Sequence, residues 1–238
     1  MAKKNKRRHH KGSTNIPAKK NKNRMVFWAS IGLGLALIIA LAAIGFLSSQ
    51  QHKSTISTES IDQRTGQPIN RTTIGDPNAP VLVETYEDFL CPHCADFTFE
   101  LGPVLLDMVK EGKVRWEYKY RLIGGSDSLT ANMAAECAAD QGKFWEYHEE
   151  LFRRIEDNGK IAVYSNSLKQ LAKDLGMDTN QFNKCLDSRQ HQQDVQKIDR
   201  AAAARGINST PTIFINGQYY DGSRSPEAFR AAIEAAAH

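Results

Sequence analysis

The fold of this 238-residue chain is decided by the stretch Val81-Leu82-Val83-Glu84-Thr85-Tyr86-Glu87-Asp88-Phe89-Leu90-Cys91-Pro92-His93-Cys94. Its apolar start predicts a strand over about Val81 to Tyr86, with Glu87 and Asp88 as turn residues. Pro92 suits the first turn of a helix because its φ is preset and it has no N–H to leave unpaired. A strand that leads into a helix carrying two cysteines three positions apart indicates thiol–disulfide exchange.

The two cysteines are expected to have different roles. Cys91 lies at the predicted helix start, where unpaired N–H groups stabilise an anion, so we expect a lowered pKa and a nucleophilic thiolate. Cys94, one turn later, should be buried and should resolve the mixed disulfide. His93 is expected to favour the thiolate of Cys91. Such cysteines reach pKa values of about 3.5–7.5. A pKa at the lower end of this range would favour the reduced form by roughly 5 kcal/mol. That raises the reduction potential by on the order of 100 mV, which indicates an oxidase.

A metal site is the alternative reading of the cysteine pair. A zinc site needs four ligands, and the sequence offers no second C-x-x-C and no suitably spaced histidine pair. We therefore predict no metal, and no cofactor besides the redox-active Cys91–Cys94 disulfide. Five histidines show no ligand spacing: His9, His10, His52, His191 and His238.

The charge of the chain is unevenly distributed. Residues 1–24 carry ten Lys or Arg and no acid, residues 25–47 carry no charge, and the remainder has 21 basic and 27 acidic side chains. A helix over 25–47 would be about 35 Å long, enough to cross a bilayer core of about 30 Å. We predict a basic cytoplasmic tail (1–24) and a single transmembrane anchor (25–47) in the cell membrane, with residues 48–238 on the extracytoplasmic side. A cleaved signal peptide is the alternative. The mildly acidic remainder argues against nucleic-acid binding.

The rest of the chain predicts one α/β domain. Residues 48–72 are polar and read as a flexible linker, and residues 73–238 read as the globular part. Gly102-Pro103 should interrupt the helix after Cys94, and residues 126–205 are almost entirely helical. The order of elements therefore predicts a thioredoxin-type core with helices inserted after its second strand. The remaining elements are a strand over Lys113–Leu122, a strand over Thr212–Ile215, a hairpin turn at Asn216-Gly217 and a last helix capped by Ser225.

Two further cysteines lie on separate predicted helices of this insertion. We predict that Cys137 and Cys185 form a structural disulfide, which would stabilise the fold by up to roughly 4 kcal/mol by closing the intervening loop. Two buried free thiols, or a second exchange pair, are the alternatives. His148 lies on an amphipathic helix and is predicted to be a half-buried packing residue.

Taken together, residues 73–238 resemble the DsbA-like thiol–disulfide oxidoreductases in their membrane-anchored bacterial form. The resemblance rests on four motifs in order: Ile74-Gly75-Asp76-Pro77 with Ala79-Pro80, Asp88-Phe89-Leu90-Cys91-Pro92-His93-Cys94, Cys137-Ala138-Ala139-Asp140-Gln141-Gly142-Lys143-Phe144-Trp145, and Ser209-Thr210-Pro211-Thr212-Ile213-Phe214-Ile215-Asn216-Gly217.

The resemblance implies a thioredoxin fold with a helical insertion, a cis bond before Pro211, and an envelope enzyme that donates its disulfide to exported proteins. An extended substrate would pair with the backbone of Thr210 beside Pro211. A quinone-linked membrane protein of the DsbB or VKOR type would reoxidise the pair. A reductase or isomerase is the alternative, and a noncatalytic binding module is a third interpretation.

One departure from the family pattern concerns a buried acid. Relatives often carry an acidic residue six positions before the first cysteine, beneath the pair, as a proton acceptor. Here that position is Thr85, and Glu84 should point to the opposite face of the strand. The proton acceptor is therefore not identified by the motif.

Overall fold

The computed structural model describes residues 60–237. Its centre is a six-stranded sheet in the order β1-β2-β4-β3-β5-β6. The long strands β3 and β4 are parallel, and every other neighbouring pair is antiparallel. The strands are β1 Ile69–Asn70, β2 Thr73–Ile74, β3 Val81–Glu87, β4 Val114–Tyr120, β5 Thr212–Ile215 and β6 Gln218–Tyr219.

Strand β3 is central and is buried along most of its length. It ends at Glu87, one residue later than the sequence predicts, so Glu87 belongs to the strand. The register pairs Tyr86 with Thr212 of β5. This pairing places Pro211, which precedes Thr212, beside the carboxyl end of β3.

The helices on either side of β4 follow the predicted pattern. The helix after Cys91 breaks in two, as Gly102-Pro103 predicts: the first part ends at Glu100 and the second begins at Gly102. The alternation of buried and partly buried residues in β4 confirms its strand period. The helices of this part are α1 Ile61–Thr65, α2 Pro92–Glu100 and α3 Gly102–Lys110, and the last helix, capped by the Ser225 side chain, is Pro226–Ala235.

The insertion between β4 and β5 is helical, which confirms the predicted thioredoxin-type order. Asp178 caps one of its helices by accepting hydrogen bonds from the N–H groups of Asn180 and Gln181. Its helices are α4 Ser126–Ala139, α5 Phe144–Asn158, α6 Ser165–Asp174, α7 Thr179–Asp187 and α8 Gln192–Ala204, with a 3₁₀ turn over Gly159–Val163. The last helix of the chain is therefore α9.

The predicted linker is wrong in its C-terminal half. Residues 60–72 contain helix α1 and strand β1 rather than a flexible tether. Ile61 is 2% exposed within the core, and Arg64 forms an ion pair with Glu149 of α5 at 2.8 Å. Ile69 of β1 also packs against the core. Two apolar side chains in a polar segment are a signal too weak to read from periodicity.

The predicted tail (1–24), the predicted anchor (25–47) and residues 48–59 of the predicted linker lie outside the described residues. Within residues 60–237, no helix has both the length and the apolar character needed to cross a bilayer.

Candidate active site

Cys91 and Cys94 lie at the junction of β3 and α2. Cys91 is the N-cap residue of α2 in an extended conformation (φ −87°, ψ 116°), and Pro92 occupies the first helical turn. Cys91 is partly exposed, Cys94 is completely buried, and both are free thiols. The N–H of Cys94 donates to the carbonyl of Cys91 at 3.0 Å. A substrate can therefore contact the Cys91 sulfur, whereas the Cys94 sulfur is covered.

The loop before β5 completes the site. The Thr210–Pro211 peptide bond is cis. The Cys91 Sγ lies 3.4 Å from the carbonyl oxygen of Thr210, although the two residues are 119 positions apart. The pairing of β3 with β5 brings them together, so the structure places Thr210 and Pro211 directly beside the exposed cysteine.

The surroundings of the two thiols drive their pKa values in opposite directions. The pKa of Cys91 falls to about 5, chiefly because the Cys94 thiol donates to the thiolate, against the opposing effect of burial. Smaller contributions come from the Thr210 side chain and from the backbone N–H groups of Cys94 and His93 at the helix start. Burial raises the pKa of Cys94 well above its ordinary value, and the hydrogen bond to Cys91 adds to this.

His93 contributes through its backbone rather than its ring. Its side chain is 74% exposed, and its Nδ1 lies 3.3 Å from Asp96 Oδ2. The backbone N–H of His93, and not its ring, lowers the pKa of Cys91. We infer that the predicted tuning by His93 is a property of its place in the first helical turn.

A buried acid that sequence reasoning missed lies two residues after Thr85. Glu87 is completely buried, and neither of its carboxylate oxygens has a hydrogen-bond partner among the described residues. Burial raises its pKa to about 8; the nearby Thr85 hydroxyl opposes part of this rise, and the charge of Cys91 adds to it. The charge of Glu87 in turn raises the pKa of Cys94. Alternate residues of a strand share a face, so the acid absent at Thr85 is present one pleat nearer the cysteines.

The Asp88 carboxylate holds the reactive loop to the insertion. It accepts hydrogen bonds from the N–H of Leu90 at 2.9 Å, the N–H of Gly124 at 2.8 Å and the hydroxyl of Ser128 at 2.7 Å. The backbone carbonyl of Asp88 also accepts from the N–H of Cys91. The sequence predicts Asp88 only as a turn residue. The structure shows it completely buried, and its hydrogen bonds fix the loop, a role that the turn prediction did not include.

Comparison with known proteins agrees with this geometry. The sequence model of the Thioredoxin_4 family, described as Thioredoxin, matches residues 68–235. The chain belongs to this thioredoxin family. Disulfide bond formation protein D of Bacillus subtilis is 27% identical over 173 residues, which cover 71% of this chain and 76% of that protein.

Solved structures give the same result. BdbD from Bacillus subtilis superposes with a TM-score of 0.65 at 26% identity, covering 73% of this chain and 97% of that structure. DsbA from Mycobacterium tuberculosis gives a TM-score of 0.58 at 28% identity, covering 72% and 91%. The protein is thus an enzyme, a DsbA-like thiol–disulfide oxidoreductase. A longer relative, Na(+)/H(+) antiporter NhaA 3 of Salinispora tropica, is 30% identical over 164 residues, and the match spans only 24% of its length.

The insertion of this oxidoreductase is closed by a disulfide. Cys137 of α4 and Cys185 of α7 are bonded, with Cα atoms 5.9 Å apart and 48 residues between them in sequence. The structure thus contains the disulfide that the sequence predicts. Near it, Asp140 and His191 are hydrogen-bonded at 2.7 Å.

His148 is more deeply buried than predicted. It is 2% exposed rather than half-buried, and it is surrounded by the rings of aromatic residues. Burial lowers its pKa to about 3, so its ring is neutral at physiological pH. It is a core residue of the DsbA-like domain, in keeping with the predicted packing role.

Proposed function

We propose that the enzyme is an oxidase that passes its Cys91–Cys94 disulfide to reduced polypeptides exported from the cell. The observation that supports this direction most is the low pKa of Cys91. A stabilised thiolate favours the reduced enzyme, so the oxidised enzyme gives up its disulfide readily.

The size of this effect follows from the pKa. At pH 7 a thiol with a pKa of about 5 is almost entirely ionised, whereas an ordinary thiol is not, which favours the reduced state by about 2.7 kcal/mol. Because Cys91 is partly exposed, solvent screening reduces this to about 2 kcal/mol, or about 40 mV. The result is smaller than the roughly 100 mV expected from sequence, since only the interval between the lowered pKa and the ambient pH contributes.

Each catalytic cycle would use the site as follows. A substrate thiolate attacks Cys91 Sγ, the Cys91–Cys94 bond breaks, and Cys94 leaves as a thiolate that takes up a proton. A second substrate thiolate then attacks the mixed disulfide, releasing oxidised substrate and the Cys91 thiolate. The buried Glu87, whose pKa of about 8 lets it carry a proton at neutral pH, supplies and recovers the proton of Cys94.

The substrate would bind beside cis Pro211. The Thr210 backbone next to Cys91 offers an edge on which an extended peptide can pair. Ile123 is 53% exposed and adjoins Gly124, whose N–H donates to Asp88 in the reactive loop. An exposed apolar side chain at this place suits an unfolded substrate.

The cellular setting is part of the same proposal. The apolar stretch 25–47, with ten basic residues before it, would anchor the enzyme in the cell membrane with its catalytic domain outside. A quinone-linked membrane protein of the DsbB or VKOR type would accept the two electrons and restore the Cys91–Cys94 disulfide.

The test is the reduction potential of the full-length chain in glutathione buffers between pH 3.5 and 6. Below the pKa of Cys91, reduction of the disulfide takes up two protons, and the potential should fall by about 60 mV per pH unit. Above that pKa it takes up one proton, so the fall should lessen near pH 5 to about 30 mV per pH unit. We expect a potential, referred to pH 7, that is more oxidising than that of thioredoxin, about −270 mV, by roughly the 40 mV derived above, in the direction of DsbA, about −120 mV. A thioredoxin-like potential would instead indicate the reductase, and an unchanged slope would contradict the thiolate argument.

A further inference from the structure

A second group of sulfur, nitrogen and oxygen atoms lies in the helical insertion, away from the reactive loop. Ligand atoms of Cys137, Cys185 and His191 are all within 4.8 Å of one another, and the three residues are buried. Within residues 60–237, this is the one such group of three residues. Asp140 joins it, with Oδ2 at 2.7 Å from His191 Nε2 and 3.8 Å from Cys185 Sγ.

The fold explains why these side chains meet although their spacing predicts no site. Cys137 and Asp140 lie at the end of α4, Cys185 lies on α7, and His191 is the N-cap residue of α8. Three helix segments therefore contribute two sulfurs, an imidazole and a carboxylate to one buried point. Thiolate and imidazole ligands are the set that zinc prefers.

We propose that reduction of the Cys137–Cys185 disulfide converts this group into a zinc site with ligands from Cys137, Cys185, His191 and Asp140. A reduced dithiol supplies two electrons, its own sulfurs form a disulfide, and the protein gains two thiols. Zinc then displaces the two thiol protons. The inference does not depend on the direction of exchange at Cys91.

The geometry permits this change with small movements. Zinc–sulfur bonds of about 2.3 Å in a tetrahedron place two sulfurs about 3.8 Å apart. The Cα atoms of Cys137 and Cys185 are 5.9 Å apart. From this separation, side-chain rotation can bring the two sulfurs to the distance that zinc needs. His191 and Asp140 are already placed beside Cys185.

The surrounding charges favour a metal as well. Two thiolates and a carboxylate carry three negative charges, which one zinc ion reduces to one. Arg71 pairs with Asp140 Oδ1 at 2.8 Å and also with Glu136, so it offsets part of that remaining charge. Gln190 donates to Asp140 Oδ2 at 3.2 Å. Such partners outside the ligand set orient ligands in metal sites.

A reductant and a metal ion can reach the group from the surface. A cavity of about 520 Å³ is lined by Cys185 together with Arg71, Asp140, Lys184 and Gln190. Cys185 itself is 4% exposed and Cys137 is 1% exposed. Cys185 is therefore the sulfur that an incoming thiolate meets first.

The test uses the full-length chain with Cys91→Ser and Cys94→Ser, so that the active-site thiols cannot bind metal. After reduction with a phosphine, Co²⁺ is titrated and the thiolate-to-cobalt charge-transfer band is measured, followed by displacement with Zn²⁺. We expect one Co²⁺ per reduced chain and none per oxidised chain. His191→Gln removes a ligand, so it should weaken binding by more than the 10- to 100-fold that loss of an outer partner costs. Cys185→Ser should remove the charge-transfer band of a two-thiolate site.

The control is His93→Gln in the same background, because this exposed histidine is paired with Asp96 and is not part of the proposed ligand set; the Co²⁺ titration of this variant should be unchanged. Circular dichroism of each reduced variant, with and without Zn²⁺, separates loss of ligands from loss of fold. A reduced, folded chain that binds no Co²⁺ would overturn the proposal. So would a reduced chain that unfolds and is not refolded by Zn²⁺, or binding that survives both Cys185→Ser and His191→Gln.

Discussion

Glu87 is predicted to make the domain less stable as the pH rises. Its pKa moves from 4.5 in the unfolded chain to about 8 in the folded protein because the side chain is completely buried. Between these two values the unfolded chain has lost the proton that the folded protein still holds. Folding stability therefore falls throughout this interval, by about 5 kcal/mol in total.

Glu87→Gln keeps the size of the side chain and removes the ionisation. Relative to the parent, the free energy of unfolding of the variant should be unchanged near pH 4.5, about 3 kcal/mol higher at pH 7 and about 5 kcal/mol higher above pH 8. The gain should be larger for the reduced enzyme than for the oxidised one, because the Cys91 thiolate adds to the rise in the pKa of Glu87.

The measurement is urea unfolding of the reduced protein at pH 4.5, 7 and 8.5, with both proteins compared at equal m-value. Glu84→Gln is the matched control. It lies on the same strand, is partly exposed and pairs with Arg205 at 3.3 Å. A partly exposed ion pair contributes at most about 1 kcal/mol, so this variant should be no more stable than the parent at any of the three pH values.

Glu87→Gln also tests the proposed proton transfer. Without the carboxylate, formation and breakage of the bond to Cys94 should slow by about 100-fold at pH 7, measured by stopped-flow fluorescence during oxidation of a reduced peptide. A variant that is equally stable at pH 8.5, or whose stability gain does not depend on pH, would refute the assignment of a buried acid at this position.

Asp88→Ala removes the carboxylate that accepts from the backbone N–H groups of Leu90 and Gly124 and from the buried Ser128 hydroxyl, and should lower the unfolding free energy by about 3 kcal/mol. Ser128→Ala, which removes one of these donors, should cost about 1 kcal/mol; equal losses in urea titrations would contradict this ranking. Ile123→Ser should lower kcat/KM for a reduced unfolded protein by about 5-fold, or roughly 1 kcal/mol, and leave the rate with a small dithiol unchanged. Replacing Cys137 and Cys185 together by Ala should cost up to about 4 kcal/mol in guanidinium unfolding, and a loss below 1 kcal/mol would show that the link is not structural.

Much of the fold could be read from local patterns. The break at Gly102-Pro103 and the cap at Ser225 depend on backbone chemistry within a few residues, and both are present. The pairing of β3 with β5 could be expected only from the resemblance to a family, because strand contacts over more than 100 residues leave no local trace. Residues 60–72 were misread for a related reason: a short helix and a two-residue strand depend on what they pack against.

The buried acid shows where motif reasoning stops. The family pattern places the acid six positions before the first cysteine, and that position is Thr85. The Thr85 hydroxyl accepts a hydrogen bond from the Trp116 indole at 2.9 Å. The strand period would have directed attention to Glu87, the next residue on that face, had the strand been extended by one residue. His191 offered no such signal, since its neighbours Cys137 and Asp140 come from another helix.

The attachment of helix α1 has a mechanical consequence. Ile61 is held in the core, its N–H donates to Glu146, and Arg64 grips Glu149, so the chain enters the domain across the surface of α5. Any load transmitted from upstream residues falls first on these contacts. A load reaches the reactive loop only after α1 has detached from α5. The domain can therefore be pulled or rotated while the geometry around its exposed sulfur is preserved.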